Sequence, residues 1–545
     1  MKKILFLNLV LLTVLLSARP KLVTLGKSPD PSFLRSNIGL VEKSCPFDGI
    51  TIELPRQIKN GKLDVSFGHE VFIPRPLDKV RMKKWIADLQ QVRFTRLKHN
   101  FTRVSVCGAS NYGFFDDACW KIALDNVRTV ARAAKAGGLK GIMFDVEHYD
   151  GKKPMLFQYV PGKRHTLEET RGKARERGRQ FMNALAGEFP DIIVFTVLGS
   201  FSLNFDAVDS GAAPESAQYG LANDFFNGML DVIPPKAKLL DGMETRSYYA
   251  HDAKDFYRLA NEYTVKGLQL AAPENRRKFL EQTSAAPGVW LEPFLGDGYY
   301  VIKSPDMDRM ALFRSNLYAA METSREYAWV YFCSGLWFDM ELPPVEERSI
   351  ARYNPVSRLL PERYPGLLDT LGFVRDPLGY ARKHPGELVC REDFDKEHLT
   401  VPTPISKKLL PGLEFNQKHG KGELVPGAGI KGSTAVRFTG IRNGIPFKAL
   451  KVKPGEVYYI RLDGKTEGDV YLYLGIAYRN RKPQEMYVTR RRISFSGEST
   501  DGYRTAELVT LVPDNAWTLI IRLGCNSNSA TGAAWFDDLE IRKIF

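Results

Sequence analysis

Residues 137–150, GGLKGIMFDVEHYD, constrain the fold more than any other stretch of this 545-residue chain. A helical segment closes on Gly137 and Gly138, and an apolar run then climbs through Gly141, Ile142, Met143 and Phe144. The run ends in Asp145 and Glu147, followed by His148, Tyr149 and Asp150. A continuous apolar strand is the mark of a parallel sheet buried on both faces. Side chains at its C-terminal end therefore face the mouth of that sheet, where such folds place their chemistry. Asp145 and Glu147 are two residues apart, so in extended chain they share one face, with Glu147 one step nearer solvent. Any chain of this length holds several Asp-x-Glu triplets, and it is the position at a strand end that carries the information.

The same alternation extends on both sides of this stretch. Strands are predicted at residues 49–54, 63–67, 101–106, 192–198, 239–243, 289–291 and 328–332. Between them, helical spacing follows Pro76, where Trp85, Ile86 and Leu89 share a face. It recurs after Asp117, where Ala123, Val127, Val130, Ala131 and Ala134 form the apolar side, and over about 167–187, 220–232, 252–284 and 307–324. Eight strands alternating with helices predict an α/β fold, a (β/α)8 TIM barrel over residues 47–340. The eight residues PRQIKNGK between the first two strands are too short for a helix, so an irregular or incomplete barrel is an open alternative.

The first 18 residues read as an export signal: Lys2 and Lys3, an apolar run from Ile4 to Leu16, then Ser17-Ala18. Cleavage near Ala18 and an uncleaved anchor are both open, since Leu16 is a poor residue three before the cut. A secreted or periplasmic protein with no stable membrane insertion is expected. Residues 19–46 read as a lead-in, and residues 341–388 as closing helices and a linker. With 44% hydrophobic and 26% charged residues, the chain has the composition of a globular protein of two or three domains. Six cysteines without C-x-x-C spacing disfavour zinc ribbons and thioredoxin-like chemistry. The net charge of +14 includes Arg479, Arg481, Lys482, Arg490, Arg491 and Arg492, read mainly as a solvated hairpin, so no nucleic acid is expected.

From residue 389 onward the texture changes to short alternating runs between Gly, Asn and Asp turns, the pattern of an antiparallel β-sandwich. The segments REDFDK, PGEVYYIRLDGK and AAWFDDLEIRK make residues 389–545 resemble the jelly-roll carbohydrate-binding modules of families 4, 9 and 22. The resemblance implies sugar binding, with a plain spacer as the alternative. It also implies a structural calcium ion at Asp537 or Asp538.

Three strand ends present carboxylates: Asp145 and Glu147, Glu244, and Glu292. Cleaving a glycosidic bond takes two carboxyl groups, one to protonate the leaving oxygen and one to attack or to activate water. Tyr149, Tyr248, Tyr249, Trp290, Trp329 and Trp337 offer rings for stacking on sugars, with His148 beside them. Asp145 is expected to keep Glu147 protonated by like-charge repulsion, as a general acid requires. The barrel resembles the TIM-barrel glycoside hydrolases. Their large retaining clan implies Glu147 as acid/base and Glu292 as nucleophile, although Val146 stands where that clan has Asn. Their chitinase-like family implies the Asp145–Glu147 pair, although Met143 and Gly141 replace its earlier aspartates. No cofactor is expected for catalysis. The main expectation is an exported hydrolase of polysaccharides, with Glu147 as acid and Glu244 or Glu292 as partner. The alternative is a glycan-binding scaffold whose carboxylates are tied to arginines such as Arg103 or Arg246. Serine-hydrolase elbows, zincin motifs, Walker loops and dinucleotide fingerprints are absent from the sequence.

Overall fold

The computed structural model describes residues 19–59, 62–148, 155–213, 217–342, 357–396, 398–413, 415, 420–441, 444–480, 490–498, 500–527 and 531–545. The expected signal segment, residues 1–18, lies outside them, and so do Tyr149 and Asp150. Among the described residues no helix is long and apolar enough to cross a membrane. The chain divides into two compact units, Met1–Ile302 with Asn316–Leu371, and Lys303–Ser315 with Gly372–Phe545.

The first unit is built on parallel strands β1 (Lys21–Leu25), β2 (Gly49–Ile52), β5 (Phe101–Ser105), β6 (Gly141–Asp145), β7 (Ile193–Thr196), β8 (Lys238–Asp241), β9 (Thr283–Ala285), β10 (Gly288–Trp290) and β11 (Tyr327–Tyr331). Their order is β10-β11-β1-β2-β5-β6-β7-β8-β9, a curled nine-stranded sheet. It differs from the expected closed ring of eight in two ways. First, β1 comes from the segment read as a lead-in, while residues 63–67 fall largely in a separate hairpin, β3 (Arg56–Lys59) with β4 (Lys62–Ser66). That removes the difficulty of the short first connection, because a full helix, Pro31–Ser44, joins β1 to β2. Second, the hydrogen-bonded path is open between β9 and β10, which are successive pieces of one extended stretch. The Ala286 N–H still bonds to Asp241 on β8, whereas the Pro287 carbonyl accepts from Trp329 on β11. Proline has no N–H to continue the first ladder, so the chain changes partner there. Gly288 follows because a Cβ at that point would stand 2.3 Å from the Trp329 indole.

Most helices fall where the periodicity places them, but the expected helical span 252–284 breaks at Pro273 into Ala253–Leu270 and Arg276–Gln282 and ends in β9. Asp117–Ala136 is capped by Asp116, one residue earlier than expected, and its last turn ends at Gly137. Gly141 opens β6 because a Cβ there would lie 1.9 Å from the Ile193 carbonyl of β7. Inside the curl, Val23, Phe101, Met143, Phe195, Leu240 and Trp329 form one buried cluster. Burying such side chains is worth about 1.5–3 kcal/mol each against leaving them in water.

The second unit is an antiparallel sandwich. One sheet contains β12 (Glu387–Glu392), β13 (Thr403–Pro404), β14 (Lys421–Val425), β15 (Ala435–Thr439), β17 (Val457–Glu467), β20 (Gly497–Glu498), β21 (Arg504–Leu511) and β23 (Ala533–Lys543). The other contains β16 (Gly444–Lys451), β18 (Val470–Asn480), β19 (Arg490–Ser494) and β22 (Ala516–Ser527). Alternate residues of both sheets, such as Leu472, Leu474 and Ile476 against Leu462, Leu508 and Phe536, enter one core. This is the two-period burial expected of facing sheets. All six cysteines are free thiols.

Candidate functional site

Phe101, Arg103 and Ser105 lie on one face of β5, and Phe101 belongs to the interior cluster. Alternation therefore turns Arg103 inward as well, one level above Phe101. Its guanidinium reaches the carboxylate of Asp145 at the end of β6, which is 1% exposed. The other Asp145 oxygen accepts the Glu147 N–H at 3.0 Å. Asp145 thus neutralises Arg103 and fixes the turn that carries Glu147. Val146 is fully buried, Glu147 and His148 are half-buried, and the Cys107 thiol donates to the Glu147 carbonyl at 3.4 Å. His148 Nε2 accepts the Leu156 N–H at 3.1 Å, so the ring holds the returning chain. Arg246, the other arginine considered as a partner, pairs instead with Asp206 at 2.7 Å.

Glu244 is mounted by a network that the sequence reading missed. Asp241, buried at the end of β8, accepts from the N–H and hydroxyl of both Ser200 and Ser202, at 2.7–3.0 Å. It also accepts the Met243 N–H at 3.0 Å. Met243 is held at φ 54, a left-handed conformation that a branched-out side chain seldom adopts. Such strain costs about 1–3 kcal/mol and persists only where surrounding bonds over-determine it. The short helix Glu244–Ser247 follows, and the Ser247 hydroxyl donates to the Met243 carbonyl while accepting the Gly288 N–H. Glu244 therefore projects from a stiff, strained corner. The only hint in sequence was one aspartate inside the apolar run KLLDGM.

Burial first, and then the charges of Asp145 and Glu147, raise the Glu244 carboxyl to about 8 against the opposing pull of Arg103 and a hydrogen bond from Tyr248. A like-charge effect of the kind expected at Glu147 acts on Glu244. The same group of charges reaches the neighbouring phenols. Tyr219 is pushed up to about 12 by burial and then by Glu147 and Asp145. Tyr331 is raised by burial, with Cys333, Glu292 and Glu244 adding to it.

Glu292 has a different environment. It is fully buried, and its Oε1 accepts the N–H groups of Cys333 and Ser334 and the Ser334 hydroxyl, at 2.7–2.8 Å. Ser334 is held in turn by Arg363, which also pairs with Asp297 at 3.7 Å. This carboxylate ties together the loops after β10 and β11. Of the rings expected to meet sugar, Trp329 is fully buried and donates to the Gly242 carbonyl at 3.0 Å, a core role. Trp337 is packed edge-on against Phe47 and Phe332, also in the core. Tyr248 and Trp290 do lie beside Glu244, with ring centroids 5.6 Å apart. Tyr149 lies outside the described residues.

In the sandwich, Asp537 accepts the Ile430 N–H at 2.8 Å and the Ser433 hydroxyl at 2.7 Å, while Asp538 faces Arg391 and Arg461 at 3.4 and 3.6 Å. Calcium requires a shell of six to eight oxygen donors. The groups around these two aspartates are instead hydrogen-bond donors and cations, so the residues present do not fit the calcium expectation. Among the described residues no group of three or more His, Cys, Asp or Glu is arranged to hold a metal.

No protein-family model matches the chain, and no curated protein matches it. Among solved structures, the chain is similar to the CBM22-1 xylan-binding domain of Paenibacillus barcinonensis Xyn10C, at 14% identity and a TM-score of 0.20, covering 29% of this chain and 96% of that one. It is similar also to the C-terminal family 22 carbohydrate-binding module of Clostridium thermocellum Xyn10B, at 10% identity and a TM-score of 0.21, covering 29% of this chain and 96% of that one. A family 61 module, TmCBM61, in complex with β-1,4-galactotriose matches at 12% identity and a TM-score of 0.18, covering 24% of this chain and 86% of that one. Likenesses at these levels assign neither an activity nor a ligand to this chain.

Proposed function

We propose that the parallel-sheet unit hydrolyses glycosidic bonds, with Glu244 as the general acid and Glu147 as the second carboxylate. The observation that carries this reading is the raised affinity of Glu244, after β8, for its proton in the field of two carboxylates after β6. A carboxyl that titrates near 8 is protonated at neutral pH and has a proton to give to a leaving oxygen. Glu147, half-buried on the turn that Asp145 fixes, is the group that attacks the sugar or activates water. Asp145 is a positioning residue. The N-terminal apolar run supports export, which makes a polysaccharide or oligosaccharide outside the cytoplasm the substrate. The sandwich, read as a jelly roll, is a glycan-binding module.

The experiment is reducing-sugar release over diverse polysaccharides by the full chain and by Glu244→Gln. That variant keeps the shape and removes the titrating proton, so turnover falls by roughly a hundredfold or more with binding retained. In the wild type, activity is lost as pH rises through about 8, where Glu244 gives up its proton in the presence of Asp145, Glu147, Arg103 and the phenols of Tyr248, Tyr300 and Tyr331. Unchanged turnover in the variant sinks the assignment. A second reading, a non-catalytic glycan scaffold, is favoured by the Arg103–Asp145 ion pair, which takes one carboxylate out of chemistry. It predicts binding without release on every substrate.

A further inference from the structure

Around Glu244, the end of β10 and two loops bring together four rings, the expected Tyr249 and Trp290 with Tyr299 and Tyr300. Tyr249 and Tyr300 stack with centroids 5.5 Å apart and planes 20° from parallel. Trp290 packs against Tyr299 at 5.8 Å and against Tyr300 at 5.6 Å. Tyr249 is 63% exposed and Tyr299 is 77% exposed, so their faces are open to solvent. A single exposed tyrosine means little, but adjoining exposed rings mark a binding surface. The rings are also rigidly held. The Tyr300 hydroxyl donates to the Tyr248 carbonyl at 2.8 Å. The Tyr299–Tyr300 loop begins at Asp297, whose N–H bonds to the Glu292 carbonyl and whose carboxylate accepts from Tyr364 and pairs with Arg363. The buried Glu292, Ser334 and Arg363 thus serve as a buttress for the aromatic loop. Pre-held rings bind with little ordering cost, since tyrosine offers a large rigid face with few rotatable bonds.

We infer that Tyr249, Tyr299, Tyr300 and Trp290 form a stacking platform for a neutral pyranose chain, leading it to Glu244. This rests on the hydrolase reading for its substrate class. Two properties select the ligand. Flat aromatic faces pair with the C–H face of a pyranose whose hydroxyls point sideways. Among the described residues, the mouth beyond the platform sets the carboxylates of Asp145 and Glu147 against the guanidinium of Arg103, with Glu244 protonated, so a uronate or sulfate would meet like charge there. The chain as a whole carries +14, which would draw anionic glycans to it, so selection of neutral chains at the mouth runs opposite to the net charge.

The test is calorimetric titration of the full-length Glu244→Gln chain, which leaves sugar intact, with cellohexaose, xylohexaose, oligogalacturonate and a chondroitin sulfate hexasaccharide. Expected is binding of a neutral hexaose that weakens roughly tenfold in Tyr299→Ala or Tyr249→Ala, while Tyr299→Phe, which keeps the ring, binds as the parent does. Binding to the sandwich alone is unaffected by these tyrosines, so a neutral hexaose that binds equally to all variants overturns the platform. So does an anionic oligosaccharide that binds as tightly as the neutral ones and loses affinity with the tyrosines. Failure of the hydrolase reading is separable. Tyrosine-dependent binding without reducing-sugar release by the wild type removes catalysis and keeps the platform, and release insensitive to the tyrosines removes the platform and keeps catalysis.

Discussion

In the sandwich, Glu423 sits between Lys421 at 2.8 Å and Arg437, and Glu456 takes the Lys453 N–H at 2.8 Å, the Tyr458 hydroxyl at 2.9 Å and Lys543 at 2.6 Å. Burial pushes both carboxyls up, and their partners overcome it and hold them below the usual range. At the mouth of the parallel sheet, Arg103 pairs with Asp145, and Glu244 is left holding a proton under the charges of Asp145 and Glu147. Glu423 and Glu456 are thus compensated, as carboxylates withdrawn from water require. The mouth keeps a protonated acid at a strained corner, which lowers stability, and a group so perturbed marks a candidate site.

The difference can be broken or sharpened by substitution, beginning with the carboxylate that the mouth does compensate. Asp241→Ala orphans five buried donors and releases Met243 from its strained turn, and a loss of about 3–5 kcal/mol in the first unit is expected by chemical denaturation. A loss under about 1 kcal/mol would show that the corner is not held by Asp241.

Glu244→Gln is expected to do the reverse at high pH. The folded-state affinity of Glu244 for protons is raised from 4.5 to about 8, so between those values the folded chain holds more protons than the unfolded one. Stability therefore falls as pH rises through that window, by about 2–4 kcal/mol in total once the residual exposure of Glu244 to solvent is allowed for. The variant should lack this slope, and denaturation midpoints that fall equally with pH in both chains would contradict the raised affinity. Lys543→Ala removes the cation from Glu456 but leaves its two other donors, so a loss of about 1–2 kcal/mol in the second unit is the expected cost. Arg382→Ala breaks an exposed pair with Glu507 and should cost less than about 1 kcal/mol by the same assay. Were it to cost more than Lys543→Ala, the ranking of partners by burial would fail.

Periodicity and turn chemistry made much of this molecule legible in advance. The sandwich strands β15, β17, β18, β21, β22 and β23, six of the seven parallel strands after β2 and the helix Asp117–Ala136 stand within a few residues of where their apolar spacing puts them. By contrast, β9 falls at the end of the span read as helix. Asp145 at a strand end was readable for the same reason, since a continuous apolar run can end only at a mouth. The first strand was not, because five residues, KLVTL, carry too few positions to show a period and follow a signal-like run. Nor were the rings at Tyr299 and Tyr300, which lie in a loop without any repeat.

What the sequence by itself determined is local: which segments are strand or helix, where each strand ends, and which residue types stand there. Which of the carboxylates is charged, which tryptophans are core, and where the sheet changes partners were decided by tertiary structure alone. Glu147, Glu244 and Glu292 are alike as residues at strand ends. One is half-buried beside a clamped aspartate, one is crowded by like charge, and one is consumed by the backbone of Cys333 and Ser334. Electrostatic and hydrogen-bond environments depend on neighbours about 40 to 100 positions away along the chain, and no local pattern encodes them.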